Sequence, residues 1–332
     1  MSTRKVRIIG SGKYLPKRNI SAKEMSDKLQ VSEGWVLKKT SVETRYFVEE
    51  ETASYMGARA AHAALISAGL AFGDIDCLVS TSGTMQQPIP CTAALIQREM
   101  GFEHSGIPSF DINSTCLSFV AGLDVMSYMV DAGRYRRVLL VASEIASKGL
   151  NWQQKESAAL FGDGAVAVII ERTEAGGSSC IVHAKMETYS SGAHYSEIRG
   201  GGTALPARLY SSEQDEDYSF DMNGEAIFRM ASRLLPDFLS DLLRTAGTQM
   251  KDCKLVIPHQ GSAMAMRLLR RKLGIAEEQM MNITPDHGNT IAASIPMGLH
   301  EAIRQMRIER GDRILLLGTS AGFSMGGVIF DY

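Results

Sequence analysis

The chain has 332 residues, a formal net charge of -2 and 45% hydrophobic residues, which allows one large domain or two closely packed halves and leaves no electrostatic footprint for nucleic acid or an anionic membrane. Its five cysteines (77, 91, 116, 180 and 253) lack CxxC spacing, which argues against a metal site or a disulfide framework and fits a reducing cytoplasm. No apolar run reaches membrane-spanning length, and MSTRKVRIIGSG is too poor in apolar residues to be read as a signal peptide, so a cytoplasmic protein without nucleic-acid or membrane partners is expected.

Residues 6–10, apolar and ended by Gly-Ser-Gly, predict a first strand. Ser21 caps a helix over 21–29, and 32–39 predicts a short helix carrying Trp35. The alanine-rich stretch 52–68 predicts a strong helix with Gly69 as its stop. A buried strand over 75–80 runs into the turn-rich TSGTMQQPIP, followed by a helix over 91–100. Then comes PSFDINSTCLSFVAGL (108–123), with good cap residues at Asn113, Ser114 and Thr115 and apolar residues at helical spacing beyond Cys116. That pattern places Cys116 in the first turn of a helix, where free N–H groups and the macrodipole lower a thiol pKa from about 8.5 by up to a few units. The position suits a nucleophile, although an arbitrary free cysteine is more often a buried structural residue. Residues 137–143 and 165–170 predict two more buried strands. Continuous apolar strands alternating with helices indicate a mostly parallel α/β sheet covered on both faces.

Beyond residue 176 the pattern restarts. IDCLVSTSG (75–83) resembles CKLVIPHQG (253–261), SFDINSTCLSFVAGL resembles NITPDHGNTIAASIPMGL (282–299), and RRVLLVASE (136–144) resembles DRILLLGTSAG (312–322). Three ordered pairs suggest a duplication into two halves, 1–174 with the cysteine and 175–332 with a histidine and an asparagine. Equivalent loops of packed halves converge, which brings Cys116, His259 and Asn289 together. Residues 190–219, with GGG and the acidic EQDED, read as a solvated loop or, less simply, a lid. Arg267, Arg270, Arg271 and Lys272 lie on one helix, as a solvated face or a docking patch for an acidic partner.

A helix-mouth thiolate can accept an acyl group from a thioester, because the leaving group is itself a thiol. The backbone N–H groups of Cys116 and Ala321, the latter in GTSAGFSMGG, are candidates for an oxyanion hole. His259 and Asn289, as neutral donors aimed at one oxygen, would stabilise an enolate, each contributing about 2.7–4 kcal/mol. Taken singly, His259 reads equally well as a structural histidine and Asn289 as a turn residue.

With Cys, PHQ and GNTxAAS in this order, and GWVLKKTSVETR, DINSTC, LFGDGA, IPHQ and HGNTIAASIP as ordered blocks, the sequence resembles the β-ketoacyl-acyl carrier protein synthase III family of thiolase-superfamily condensing enzymes. The resemblance spans essentially the whole chain. It implies a five-layered αβαβα fold, a homodimer, and a Cys116-His259-Asn289 triad. It also implies an acyltransferase activity in fatty acid or related biosynthesis: an acyl-coenzyme A primer loads the cysteine and condenses with malonyl-acyl carrier protein, carbon dioxide being lost. No cofactor or metal is implied, coenzyme A entering as substrate. The resemblance further places Trp35, Lys39, Lys155 and Ser262 at coenzyme A contacts, Gly224 and Phe228 along a pantetheine tunnel, and Ile89 where a partner subunit closes the acyl pocket. Lys39 and Lys155 stand where well-known members have arginines, which keeps the charge and loses the planar fork. Met264 stands at the main carrier-docking arginine, which moves that expectation to Arg267, Arg270, Arg271 and Lys272. The alternatives within the fold are a related enzyme that transfers acyl groups, a specialised primer enzyme, as in biotin-precursor or secondary metabolism, and a head-to-head acyl condensation, against which the absence of glutamate from TMQQPIP counts. A non-catalytic partner subunit is disfavoured by the intact triad, and a cysteine hydrolase by the lack of a peptidase motif.

Overall fold

The computed structural model describes residues 3–332. In chain order the strands are β1 Val6–Tyr14, β2 Arg18–Ser21, β3 Thr44–Phe47, β4 Cys77–Ser80, β5 Ser109–Asp111, β6 Arg137–Glu144, β7 Gly164–Arg172, β8 Cys180–Thr188, β9 Ser196–Glu197, β10 Asp221–Met222, β11 Leu255–Pro258, β12 Arg313–Ser320 and β13 Ser324–Asp331. The α-helices are α1 Ala22–Lys28, α2 Trp35–Thr40, α3 Ala53–Ala68, α4 Thr92–Glu99, α5 Ser118–Asp131, α6 Lys155–Ala158, α7 Gly224–Thr245, α8 Ala263–Lys272, α9 Thr284–His287 and α10 Ser294–Arg304. Local chemistry explains several boundaries. The Ser21 hydroxyl accepts from the Glu24 N–H and starts α1, while the Thr52 hydroxyl caps α3, which ends as Gly69 takes φ +66°.

Two sheets form the frame. The first has the order β1-β7-β6-β4-β5 and the second β11-β12-β13-β8. The second repeats β4-β6-β7-β1 strand for strand, including the parallel pair (β4·β6, β11·β12) and the two antiparallel pairs beyond it. Even β5 has an echo, since Met280 makes an isolated parallel bridge to Val256 in β11. On this shared order we propose the division at 174/175. The expectation of mostly parallel sheets needs correction, because β1, β7, β8 and β13 all run antiparallel to their neighbours. β13 follows β12 through the three-residue turn 321–323, too short for a parallel crossover.

Side-chain alternation stacks the layers. Leu78, Leu139, Val141 and Ile169 face α3 and α4, whereas Val79, Val138, Leu140 and Val168 face the interior. That interior holds α5 (Phe119, Val120, Leu123) and α10 (Ile295, Met297, Leu299), and is closed by Leu255, Ile257, Ile314, Leu316, Val328 and Phe330 of the second sheet. The opposite face of the second sheet (Val256, Leu315, Leu317, Ile329) packs on α7. Helix, sheet, paired helices, sheet and helix give five αβαβα layers. Residues 190–219 hold three short 3-10 turns (Ser190–Tyr195, Ala207–Leu209, Ser212–Tyr218) and β9, which pairs with β10 just beyond them. Arg199 holds them by ion pairs to Glu197, Asp217 and Asp221.

Candidate active site

Cys116 lies in a 3-10 turn, Thr115–Leu117, immediately before α5. The expected hydroxyl caps do not form, and the Asn113 side chain instead accepts from the Thr115 N–H at 2.8 Å. The Ser118 hydroxyl accepts the Ser114 N–H at 2.9 Å. The turn docks on the β12–β13 hairpin: the Thr115 hydroxyl donates to the Ala321 carbonyl (3.3 Å), and the backbone N–H groups of Ala321 and Cys116 lie close enough to the Cys116 sulfur to favour its charged form. The two N–H groups expected to form an oxyanion hole therefore both lie beside the Cys116 sulfur.

His259 follows β11, and its position is tied to that of Cys116 through Gly318 on β12. A Cβ at Gly318 would fall 2.9 Å from the His259 Cβ and 3.1 Å from Leu117 Cδ2, so only glycine lets the two loops close over this strand. Ser294 Oγ stands 2.7 Å from His259 Nδ1 and accepts the Gln260 N–H at 3.3 Å. A hydroxyl that donates to Nδ1 places the ring proton on Nε2. Burial lowers the His259 pKa to about 4. The ring is thus neutral at physiological pH.

The Asn289 Oδ1 accepts the Ile291 N–H at 2.9 Å, which fixes the amide flip and leaves Nδ2 as the free donor end. Nδ2 reaches the Gly261 carbonyl at a long 3.4 Å. A Cβ on Gly261 would lie 3.3 Å from the His259 ring, so both donors converge at Gly261. Backbone strain marks the same three loops. Thr115 (φ +48°), Ile291 (φ +50°) and Phe323 (φ +47°) are left-handed without being glycine, and each lies within two residues of Cys116, Asn289 or Ala321.

One electrostatic expectation is overturned. Cys116 is not a low-pKa thiol; burial and the nearby Glu144 carboxylate push it up to about 12. Desolvation outweighs the short helix-mouth field. Glu144 itself, and Ser294, were not singled out by sequence reasoning. The available signal was an acid closing the otherwise apolar strand RVLLVASE, and a serine inside the HGNTIAAS block.

The remaining candidates sort by position. Half-buried Trp35 sits on α2 with Lys39 above its ring at 5.8 Å, and Lys39 pairs with Glu156 of α6 at 2.7 Å. Lys155 reaches the Gln30 carbonyl at 3.5 Å, so α2 and α6 share one face. Trp152 adds a further aromatic to this cluster, with Lys28 3.9 Å from its ring centroid. Ser262 is occupied as the N-cap of α8. Gly224 opens α7 with half-buried Phe228 one turn on. Further along α7, Met230 packs through Gly192 toward Phe323, beside the Ala321 turn. Ile89 is exposed. On α8 the expected basic patch is smaller than its sequence. Arg270 turns inward to the Ile275 carbonyl and Glu277, and Lys272 bonds the Ser232 carbonyl. Arg267, Arg271 and Lys272 remain exposed, beside exposed Met264 and Leu268.

A direct consequence of the lowered histidine pKa is that the His259 imidazole resonances should stay those of the neutral ring from about pH 5.5 to 8 and shift only as pH drops through about 4 to 5, where the imidazole takes up a proton. A midpoint near 6.5 in that titration would contradict the neutral, desolvated ring.

The family model described as 3-oxoacyl-[acyl-carrier-protein (ACP)] synthase III matches residues 110–190, and the one described as 3-oxoacyl-[acyl-carrier-protein (ACP)] synthase III C terminal matches 243–332. The beta-ketoacyl-[acyl-carrier-protein] synthase III of Aquifex aeolicus is 32% identical over 326 residues, covering 98% of this chain and 99% of its own. The crystal structure of 3-oxoacyl-(acyl carrier protein) synthase III from Pseudomonas aeruginosa superposes with a TM-score of 0.88 at 27% identity, over 99% of this chain and 98% of that one. The priming beta-ketosynthase from the R1128 polyketide biosynthetic pathway gives a TM-score of 0.88 at 26% identity, over 99% and 97%.

Proposed function

The chain belongs to the 3-oxoacyl-[acyl-carrier-protein] synthase III family of condensing acyltransferases, and on that premise we propose that Cys116 is its nucleophile, loaded by an acyl-coenzyme A primer, and that His259 and Asn289 support decarboxylating condensation with malonyl-acyl carrier protein. The observation that carries this reading is the meeting of the Cys116 sulfur with the Ala321 N–H on one side and of two neutral donors at Gly261 on the other. In the first half-reaction the Cys116 sulfur attacks the thioester carbonyl, and the N–H groups of Cys116 and Ala321 hold the developing oxyanion. The coenzyme A thiolate leaves with the proton that Cys116 gives up, so no separate general acid is needed and the exchange is nearly isoenergetic. In the second, the malonyl thioester oxygen sits between the His259 Nε2–H and the Asn289 Nδ2–H. These donors stabilise the enolate formed as carbon dioxide departs, and its carbon then attacks the acyl-cysteine carbonyl. The Cys116 thiolate leaves and takes up a proton from solvent. This chemistry calls on no cofactor, and all five cysteines are free, which supports a cytoplasmic setting. Among the described residues no helix is long and apolar enough to cross a membrane.

Trp35, Lys39 and Lys155 would receive the coenzyme A end of the primer, and Gly224 and Phe228 would line the path inward. Carrier protein would dock on Arg267 and Arg271, whose charge suits an acidic partner and whose neighbours Met264 and Leu268 offer apolar contact. The test is reconstitution with a panel of acyl-coenzyme A primers and malonyl-carrier protein: acyl-Cys116 by intact mass, then a β-ketoacyl carrier protein and one carbon dioxide per turnover. Arg267→Glu with Arg271→Glu should raise the KM for carrier protein and leave primer loading intact; an unchanged KM removes the docking assignment. A homodimer is proposed on the unpaired edge strand β5 with exposed Phe110, exposed Met85 and Ile89, and Val125, Tyr128 and Met129 along one face of α5. Sedimentation of the purified chain should give the dimer mass, and a monomer at micromolar concentration would end that reading.

A further inference from the structure

Lys13, His287, Glu301 and Arg304 form a polar cluster that has no task in the condensation steps. Lys13 lies on β1, in the half that carries Cys116, and the other three lie on α9 and α10 of the second half. The Lys13 ammonium donates to Glu301 Oε1 at 2.5 Å and stands 3.1 Å from His287 Nε2. On the other side of the ring, His287 Nδ1 stands 3.1 Å from the Ile283 carbonyl oxygen. An ammonium can only donate and a carbonyl can only accept, so the ring carries its proton on Nδ1 while Nε2 accepts from Lys13. Burial, with the Lys13 charge adding to it, lowers the His287 pKa to about 4 and keeps the ring neutral. His287 and Glu301 are both buried, which strengthens these bonds by removing competing water.

Asn289 stands two residues beyond His287. Its N–H donates to the Leu160 carbonyl at 2.8 Å, and its carbonyl accepts the Gly162 N–H at 3.1 Å. Residues 160–162 lead into β7, whose Val166 is the register partner of Lys13 on β1. Adjacent strands of the first half therefore hold the asparagine turn at two points, one before Gly288 and one after it. A third anchor lies earlier in α9, where the Glu43 N–H donates to the Pro285 carbonyl at 2.8 Å. Of these anchors, Lys13 to His287 is the one made by side chains.

We propose that Lys13 is a positioning residue for Asn289: its ammonium, held by Glu301, grips the His287 ring and so sets the asparagine turn of the second half against the half that carries Cys116. The inference rests on the reading of Asn289 as an enolate donor. The cysteine and the asparagine come from different halves, so their separation is fixed by contacts between the halves, and a donor must be held close to its productive place to act on a developing charge.

Two variants test this. Lys13→Met keeps the reach of the side chain and cannot donate, and Glu301 keeps its bonds from Arg304 and Gln305. His287→Phe keeps a ring and cannot accept, and it leaves the Lys13–Glu301 pair in place. Each variant should load Cys116 at the normal rate, read by intact mass. Each should lower kcat for malonyl-thioester decarboxylation about tenfold, a 1 Å misplacement being worth about 100-fold. KM should change little, because an enolate donor acts on the transition state more than on the bound substrate. The double variant should lose no more than either single one, since both remove the same contact. Unchanged decarboxylation, equal falls in loading and decarboxylation, or losses that multiply overturn the proposal. A His287 ring carrying its proton on Nε2 in the unmodified protein, read from its nitrogen NMR shifts, overturns it as well, and that result stands even where a variant does not fold. Asn289→Ala is scored beside them. If it keeps decarboxylation, the donor reading has failed; if it loses decarboxylation while Lys13→Met and His287→Phe keep it, only this inference has.

Discussion

Cys116→Ala should abolish acyl loading and condensation together, while His259→Ala and Asn289→Ala should keep loading and lose decarboxylation. The split follows from where each group stands. The sulfur forms the only covalent link to the primer in the proposed path, and its oxyanion donors are backbone N–H groups that survive the histidine and asparagine changes. His259 and Asn289 instead supply the two side-chain donors for the enolate, and loss of one such donor lowers turnover by about 100-fold to 1000-fold. The double variant should fall short of the product of the two losses, because both act on one oxygen. Intact mass after incubation with an acyl-coenzyme A reads the first step, and carbon dioxide release from a malonyl thioester reads the second. If His259→Ala or Asn289→Ala lost loading but kept decarboxylation, their assigned role would be wrong.

Gly162→Ala should misplace Asn289 without touching any reacting atom. Gly162 donates its N–H to the Asn289 carbonyl at 3.1 Å, and Asn289 donates to the Leu160 carbonyl at 2.8 Å, so the LFGDGA loop holds the asparagine on both sides. A Cβ at Gly162 would stand 2.2 Å from the His287 carbonyl oxygen, a backbone atom that cannot rotate aside. Gly288 is as constrained, with φ +67° and a Cβ position 2.6 Å from the Leu160 carbonyl. Overpacking of this kind costs about 3 kcal/mol, so Gly162→Ala and Gly288→Ala should lower the melting temperature by several degrees. They should also depress decarboxylation far more than acyl loading. A folded Gly162→Ala variant with normal decarboxylation would show that the loop does not set the Asn289 position.

The same two loops show how much of the site was legible beforehand. PHQ and HGNTIAAS carry their residues within a few positions of one another, and their order along the chain already matched the thiolase-like duplication. What that spacing could not carry was the tautomer of His259. It depends on Ser294, 35 positions away, whose hydroxyl stands 2.7 Å from Nδ1. Arg270 makes the same point on the surface. Its position on α8 looked equivalent to that of Arg267, and only the chain returning at Ile275 and Glu277 turned it inward.

By itself the sequence determined the strands β1, β4, β6 and β7 and the helices α1 to α5, where α1 and α3 are capped, and that one cysteine, one histidine and one asparagine belong to recurring blocks. Those properties are decided within a window of a few residues, by side-chain periodicity and by hydrogen bonds to the nearest backbone. The tertiary structure alone decided that β7 and β13 run antiparallel to their neighbours, and that its surroundings push the Cys116 thiol pKa up where a helix mouth would lower it. Strand direction is set by how tightly a connection must turn. The charge state of a sulfur is set by the water removed from around it and by a carboxylate 28 residues further along the chain, and no local pattern records either.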